Sequence, residues 1–145
     1  MSQALLRLAA YGFLGWGAEI LWTALCALRK RPRDWRMPGT TTLWMFPIYG
    51  SAVFLFEPLH DALREVSVLA RVPVYVAGLW VVEYASSWIV ERLVGRPPWD
   101  YSQTRWHLHG RVRWDYAPAW AVFVLLLECV HDLLLVAGAA LARAS

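Results

Sequence analysis

Charge is scarce in this chain, and cysteine scarcer. Of its 145 residues, 17% are Asp, Glu, Lys or Arg, against 59% hydrophobic, well away from the balance of an ordinary soluble domain. The two cysteines, Cys26 and Cys129, both lie in apolar stretches. Two buried-type thiols exclude the disulfide framework of a small secreted domain. No G-x-x-x-x-G-K-[ST] loop occurs, which excludes an ATPase role for this polypeptide. The net charge of +3 does not signal nucleic acid, because the basic residues cluster between apolar blocks where a topology signal belongs.

What the chain has in abundance is apolar sequence in blocks of membrane length. Spanning a hydrocarbon core of about 30 Å takes about 20 apolar residues. Four spans follow: Ala4 to Leu28, Thr42 to about Leu63, Val72 to Val94, and Tyr116 to about Leu141. The first carries Glu19 in mid-run and is followed by Arg29-Lys30-Arg31, so it reads as a retained helix and not a signal peptide. Ten Trp suit the headgroup layer. The expected fold class is all-α, an integral membrane bundle of four transmembrane helices in a single domain, residues 1–145.

Ten Lys and Arg lie in or beside the first and third connections (Arg29, Lys30, Arg31, Arg33, Arg36; Arg92, Arg96, Arg105, Arg111, Arg113), against four elsewhere. This asymmetry places the first and third connections in the cytoplasm and both termini outside it; the expected location is a bacterial inner membrane.

An internal repeat runs through the chain. Pro47, Tyr49, Val53, Leu55, Glu57, His60, Asp61 and Leu63 match Pro118, Trp120, Val124, Leu126, Glu128, His131, Asp132 and Leu134 at a shift of 71. Trp16-x-x-Glu19 matches Trp80-x-x-Glu83 at a shift of 64. The chain therefore reads as two similar helical hairpins, about 1–71 and 72–145, in the same orientation.

Glu19, Glu57, Glu83 and Glu128 all fall within the spans. An acid at a helix centre costs about 2.5–3.5 kcal/mol on insertion scales, so these four should face inward and find partners. Glu57 and His60 share a helix face at i and i+3, as do Glu128 and His131. One Glu on each of two helices plus Glu-x-x-His on each of the others is the ligand set of di-iron and di-manganese carboxylate bundles. Glu19, Glu57, His60, Glu83, Glu128 and His131 are thus the expected buried polar cluster and the candidate ligands of a divalent metal pair. Structural polar packing between helices and a proton or cation path are the other readings of the same residues.

The third connection holds Trp99, Asp100, Tyr101, Ser102, His107 and His109, with Trp106 and Trp114. Its aromatics place it at the headgroup layer with Arg105, Arg111 and Arg113 towards anionic lipid. Asp100 reads as a turn or cap, and Gly110 as relief for the turn into the last helix. On an extended stretch, His107 and His109 would point the same way.

Taken in order, Gly15-Trp16-x-x-Glu19, Trp44-x-x-Pro47-Ile48-Tyr49-Gly50, Glu57, Glu83-Tyr84, Pro98-Trp99-Asp100-Tyr101-Ser102 and Gly110…Tyr116…Trp120 resemble the type-IV ABC-transporter permease (CmpB-like) family of small membrane proteins and its vertebrate transmembrane relatives. The resemblance covers nearly the whole chain and implies a multi-helix membrane protein. A permease-like component handling protons, cations or a small solute is the expected function. A metal-dependent membrane enzyme acting on a lipophilic substrate, and a structural or assembly protein, are the alternatives. Expected partners are membrane lipid and a second copy or another membrane subunit, with no nucleic acid.

Overall fold

The computed structural model describes residues 3–29 and 32–144; Lys30 and Arg31 of the first basic cluster lie outside the described residues. The fold is all-α and belongs in a membrane. The long helices are α1 (Gln3–Arg29), α4 (Val68–Val94) and α5 (Ala117–Ala144), with the shorter helices α2 (Met45–Gly50) and α3 (Ala52–Leu63) between α1 and α4. Three segments are long and apolar enough to cross a membrane: Gln3–Arg29, Val68–Val94, and Trp114–Arg143, which takes in a 3-10 turn before α5. A helix of 27 residues rises about 40 Å, more than the roughly 30 Å of hydrocarbon it must cross. Many of the large apolar side chains on these helices are exposed, Val81, Leu93, Leu126 and Val136 among them, which is the surface lipid contacts.

The expected second span is present as α2 followed by α3, interrupted at Ser51. The helical ladder nearly continues through it: Ser51 N–H donates to the Pro47 carbonyl at 2.9 Å, and Leu55 N–H donates to the Ser51 carbonyl at 3.1 Å. The Ser51 hydroxyl donates to the Ile48 carbonyl at 2.6 Å, the local competition that makes serine a weak helix former. Farther on, α3 runs to Leu63 and α4 begins at Val68, so the gap left between the expected spans, about Leu63 to Val72, shrinks to residues 64–67. Ser67 has the extended backbone of an N-cap (φ −56°, ψ 145°), and its carbonyl accepts from Ala70 and Arg71.

Two compact units divide the chain, Met1–Leu55 and Phe56–Ser145. In the first, α1 and α2 lie against each other because α1 offers glycine at the contact. The positions a Cβ would take on Gly12 and Gly15 fall on the rings of Phe46 and Tyr49. Removing the side chain lets helix backbones approach closely. Phe13 packs edge-on against both Trp16 and Phe46 beside this contact, and Trp16 and Phe46 meet at a tilt. Within it, the Tyr49 hydroxyl donates to the Glu19 carboxylate at 3.1 Å.

In the second unit, the chain after α4 turns left-handed at Gly95 (φ 80°). It then forms a small hairpin, β1 (His107–Leu108) with β2 (Val112–Arg113), registered His107 to Arg113 and Leu108 to Val112. These are the only strands among the described residues.

Candidate functional site

The second unit gathers its polar residues where the end of α3, the first turns of α4 and the middle of α5 meet. Glu57, His60, Glu128 and His131 are all buried. Their i, i+3 spacing aligns each Glu with the His on its own helix, but the contacts run across. Nδ1 of His60 lies 3.2 Å from the Glu128 carboxylate, and Nδ1 of His131 lies 3.3 Å from the Glu57 carboxylate. The two imidazoles meet edge to face at 5.2 Å. Each Glu-x-x-His motif thus supplies the acid for the other motif's histidine.

Helix α4 holds this arrangement in place. The Arg71 guanidinium grips Glu128 with both arms, at 2.7 and 3.0 Å, and donates a third bond to the Val66 carbonyl at 2.8 Å. A bidentate, charge-assisted pair of this kind fixes geometry as well as charge. Tyr75, one turn on and 2% exposed, places its hydroxyl 3.2 Å from His60 Nδ1, and Phe56 stacks on the His60 ring. At the open end, Arg64 bonds Asp132 and approaches His60 Nε2 at 3.4 Å. Asp61 reaches to 3.8 Å from His131 Nε2.

Glu83 is also buried on α4, eight residues beyond Tyr75 and so about 12 Å farther along the helix axis. Ser87 lies one turn beyond it, fully buried. Glu19 belongs to the first unit, with Tyr49. Among the six residues expected to cluster, the second unit brings together Glu57, His60, Glu128 and His131.

The third connection folds back along α4 as a braced hairpin. Within the three-residue connection 109–111 between the strands, His109 (φ 52°) and Gly110 (φ 71°) are the central residues of a turn closed by Arg111 N–H to the Leu108 carbonyl at 2.9 Å. Two successive positive φ values are what a type I′ hairpin turn demands. Gly110 therefore serves this turn, and not the start of α5 as its position suggested. The same turn separates the two histidines expected to point one way. His107 Nδ1 accepts from the Gly110 N–H at 2.9 Å, while His109 Nδ1 meets the Tyr84 hydroxyl at 2.9 Å. The Trp99 indole donates to the Arg111 carbonyl at 2.8 Å. Tyr101 N–H donates to the Gly110 carbonyl at 2.8 Å, and Arg111 pairs with Glu91 on α4. Trp114 packs edge-on against Trp80, 4.6 Å between centroids.

Asp100 acts as a turn residue: its carboxylate accepts the Ser102 N–H at 2.8 Å. That bond holds the Asp100 carboxyl below the ordinary carboxylate range. A depressed value means its stabilising contribution is complete above the unfolded pKa of about 3.9, and is lost as pH falls through the lower folded value. Protection of the Ser102 amide from hydrogen exchange should therefore hold from neutral pH to about 4 and decay only below that. Decay already between about pH 5 and 6 would remove Asp100 from this role.

The family described as "Putative ABC-transporter type IV" matches residues 6–143. The chain belongs to that family. No solved structure matches it. Within this ABC-transporter type IV member, the residues that sequence reasoning passed over as part of the site are Arg71, Tyr75 and Arg64. A signal for two of them was present. The shift of 64 that relates Trp16 to Trp80 and Glu19 to Glu83 also relates Arg7 to Arg71 and Tyr11 to Tyr75. Arg71 lies one residue before the span expected from Val72, which hid it.

Proposed function

We propose that this membrane transport-family protein is a permease-like component that passes a cation, with the crossed Glu/His pairs of the second unit as its binding station. The observation that carries the reading is reciprocal: two buried imidazoles, each on a carboxylate from the other motif, inside helices otherwise built to meet lipid. Ionisable groups at membrane depth are costly to bury, and they mark ion and proton pathways. A bridged di-iron or di-manganese centre would draw on Glu128 as a bridge. Its carboxylate is already held by the Arg71 fork, which weighs for the transport reading over the enzyme one. Energy would come from an ion gradient or a partner, since no nucleotide-binding loop is present. Four spans are few to enclose a pathway, so the working form in this proposal is a homo-oligomer or a complex with another membrane subunit.

Purified protein in proteoliposomes, loaded with a pH-sensitive or a zinc-sensitive dye, tests this directly. Wild-type vesicles should pass H⁺ or Zn²⁺ faster than empty ones. His60→Gln and His131→Gln should each cut that flux by about tenfold or more, the scale of losing one positioned polar group. Vesicles no leakier than empty ones to either cation would sink the proposal.

The proposed orientation puts both termini outside the cytoplasm in a bacterial inner membrane, on the ten-to-four asymmetry of basic residues. Reporter fusions after Arg36 and after Arg113 should score cytoplasmic, and a fusion at Ser145, which lies outside the described residues, external. A cytoplasmic C-terminus would reverse this orientation.

A further inference from the structure

Each imidazole of the crossed pairs turns one nitrogen to a carboxylate and the other towards the open end of the cluster. The carboxylates of Glu128 and Glu57 lie at Nδ1 of His60 and His131, with the Tyr75 hydroxyl also 3.2 Å from His60 Nδ1; a carboxylate only accepts hydrogen bonds, so this placement favours the tautomer with its proton on Nδ1. The lone pair then belongs on Nε2. The Arg64 contact agrees independently: a guanidinium only donates, and Arg64 Nη2 lies 3.4 Å from His60 Nε2. An imidazole with its rear N–H held by a carboxylate and its front nitrogen left as a donor pair is the arrangement that supports metal-bound histidine.

The front side supplies further donors. A ring nitrogen of His60, a ring nitrogen of His131 and a carboxylate oxygen of Asp132 lie within 4.8 Å of one another. The Asp61 carboxylate is 3.8 Å from His131 Nε2. Ligands at about 2.0–2.1 Å from a tetrahedral ion stand about 3.3 Å apart, so small side-chain rotations close the set. Both histidines are buried, at 3% and 1% exposure, while Asp132 is exposed and can adjust.

We propose that the second unit holds a binding site for one divalent first-row transition metal ion of the zinc class. Nε2 of His60, Nε2 of His131 and the Asp132 carboxylate are its ligands, and Asp61 is in reach of the fourth position. Two imidazoles disfavour Mg²⁺ and Ca²⁺, which prefer all-oxygen sites, and a set without thiolate suits Zn²⁺, Co²⁺, Mn²⁺ or Fe²⁺. Glu57 and Glu128 act here as outer supports and not as bridging ligands. Arg64 is the tethered cation that the ion displaces. It bonds Asp132, touches His60 Nε2, and its side chain is 47% exposed, so it can swing out from the 64–67 turn. The inference rests on the cation-handling reading for its purpose, whereas the binding itself stands on the geometry alone.

Metal-stripped full-length protein in detergent, titrated with Co²⁺, tests the site. One Co²⁺ per chain should bind with the strong visible absorption of a low-coordinate ion, displaced by Zn²⁺ and not by excess Mg²⁺. His60→Gln, His131→Gln and Asp132→Asn should each weaken binding at least about tenfold, and Glu57→Gln about 10–100-fold with the spectrum kept. Arg64→Ala, a change at an exposed side chain, should tighten binding, which a purely structural role for Arg64 would not produce. Absence of Co²⁺ binding to both wild-type and Arg64→Ala protein would overturn the proposal, as would binding that survives His60→Gln with His131→Gln. Co²⁺ binding without vesicle flux would keep the site and sink the transport reading. Proton flux without Co²⁺ binding would do the reverse.

Discussion

Arg71→Ala should be among the most damaging single substitutions in the chain. It leaves the Glu128 carboxylate, 11% exposed, facing His60 and Tyr75 without the guanidinium that holds both its oxygens. Breaking one side of a buried ion pair is far worse than removing both, because the survivor stays buried and uncompensated. The thermal midpoint of the detergent-purified protein should fall by at least about 5 °C, with a matching loss of folded yield. Arg71→Lys keeps the charge but not the fork, and should fall between Ala and wild type. Arg71→Ala combined with Glu128→Leu should recover part of the loss. If the double variant is as unstable as the sum of its single changes, the two residues are not coupled and the pair is a bystander.

Gly110→Val should open the hairpin. Gly110 sits at φ 71°, where a side chain costs roughly 1–2 kcal/mol, and its Cβ would stand 2.9 Å from the Asp100 carboxylate. The turn carries the Gly110 N–H bond to His107, the Tyr101 bond to Gly110 and the Tyr84 contact of His109, so they should loosen together. Trypsin cleavage after Arg105 in the detergent-purified protein should rise about tenfold or more, as that free-energy cost implies. Unchanged cleavage would mean the Arg111–Glu91 pair and the Trp80–Trp114 contact hold the hairpin closed without the turn.

Much of the fold was legible because helices across a membrane are local objects. Their length, apolarity and stops depend on neighbouring residues, so three of the four expected spans are found as long helices with ends displaced by a few positions. The helix starts at Val68 and not at Val72 because the charge of Arg71, which ends the apolar run, does not end the helix. That charge is satisfied inside, by Glu128 and the Val66 carbonyl, which a composition-based reading cannot see. The paired histidines of the third connection misled for a different reason. Alternation along an extended strand is a good rule until a turn intervenes, and His109-Gly110 is that turn.

The sequence by itself determined that this is an all-α membrane protein with acids in its spans and two copies of Glu-x-x-His-Asp. Each motif places a carboxylate and an imidazole on one helix face, since a helix repeats every 3.6 residues whatever surrounds it. Only the tertiary structure decided that each histidine takes the other motif's glutamate, that Arg71 and Tyr75 join them from α4, and that Arg64 stands before His60 and Asp132. Those choices depend on how close α3, α4 and α5 come and how each is rotated about its axis. Both are set by packing between residues far apart in the chain, and no local pattern encodes them.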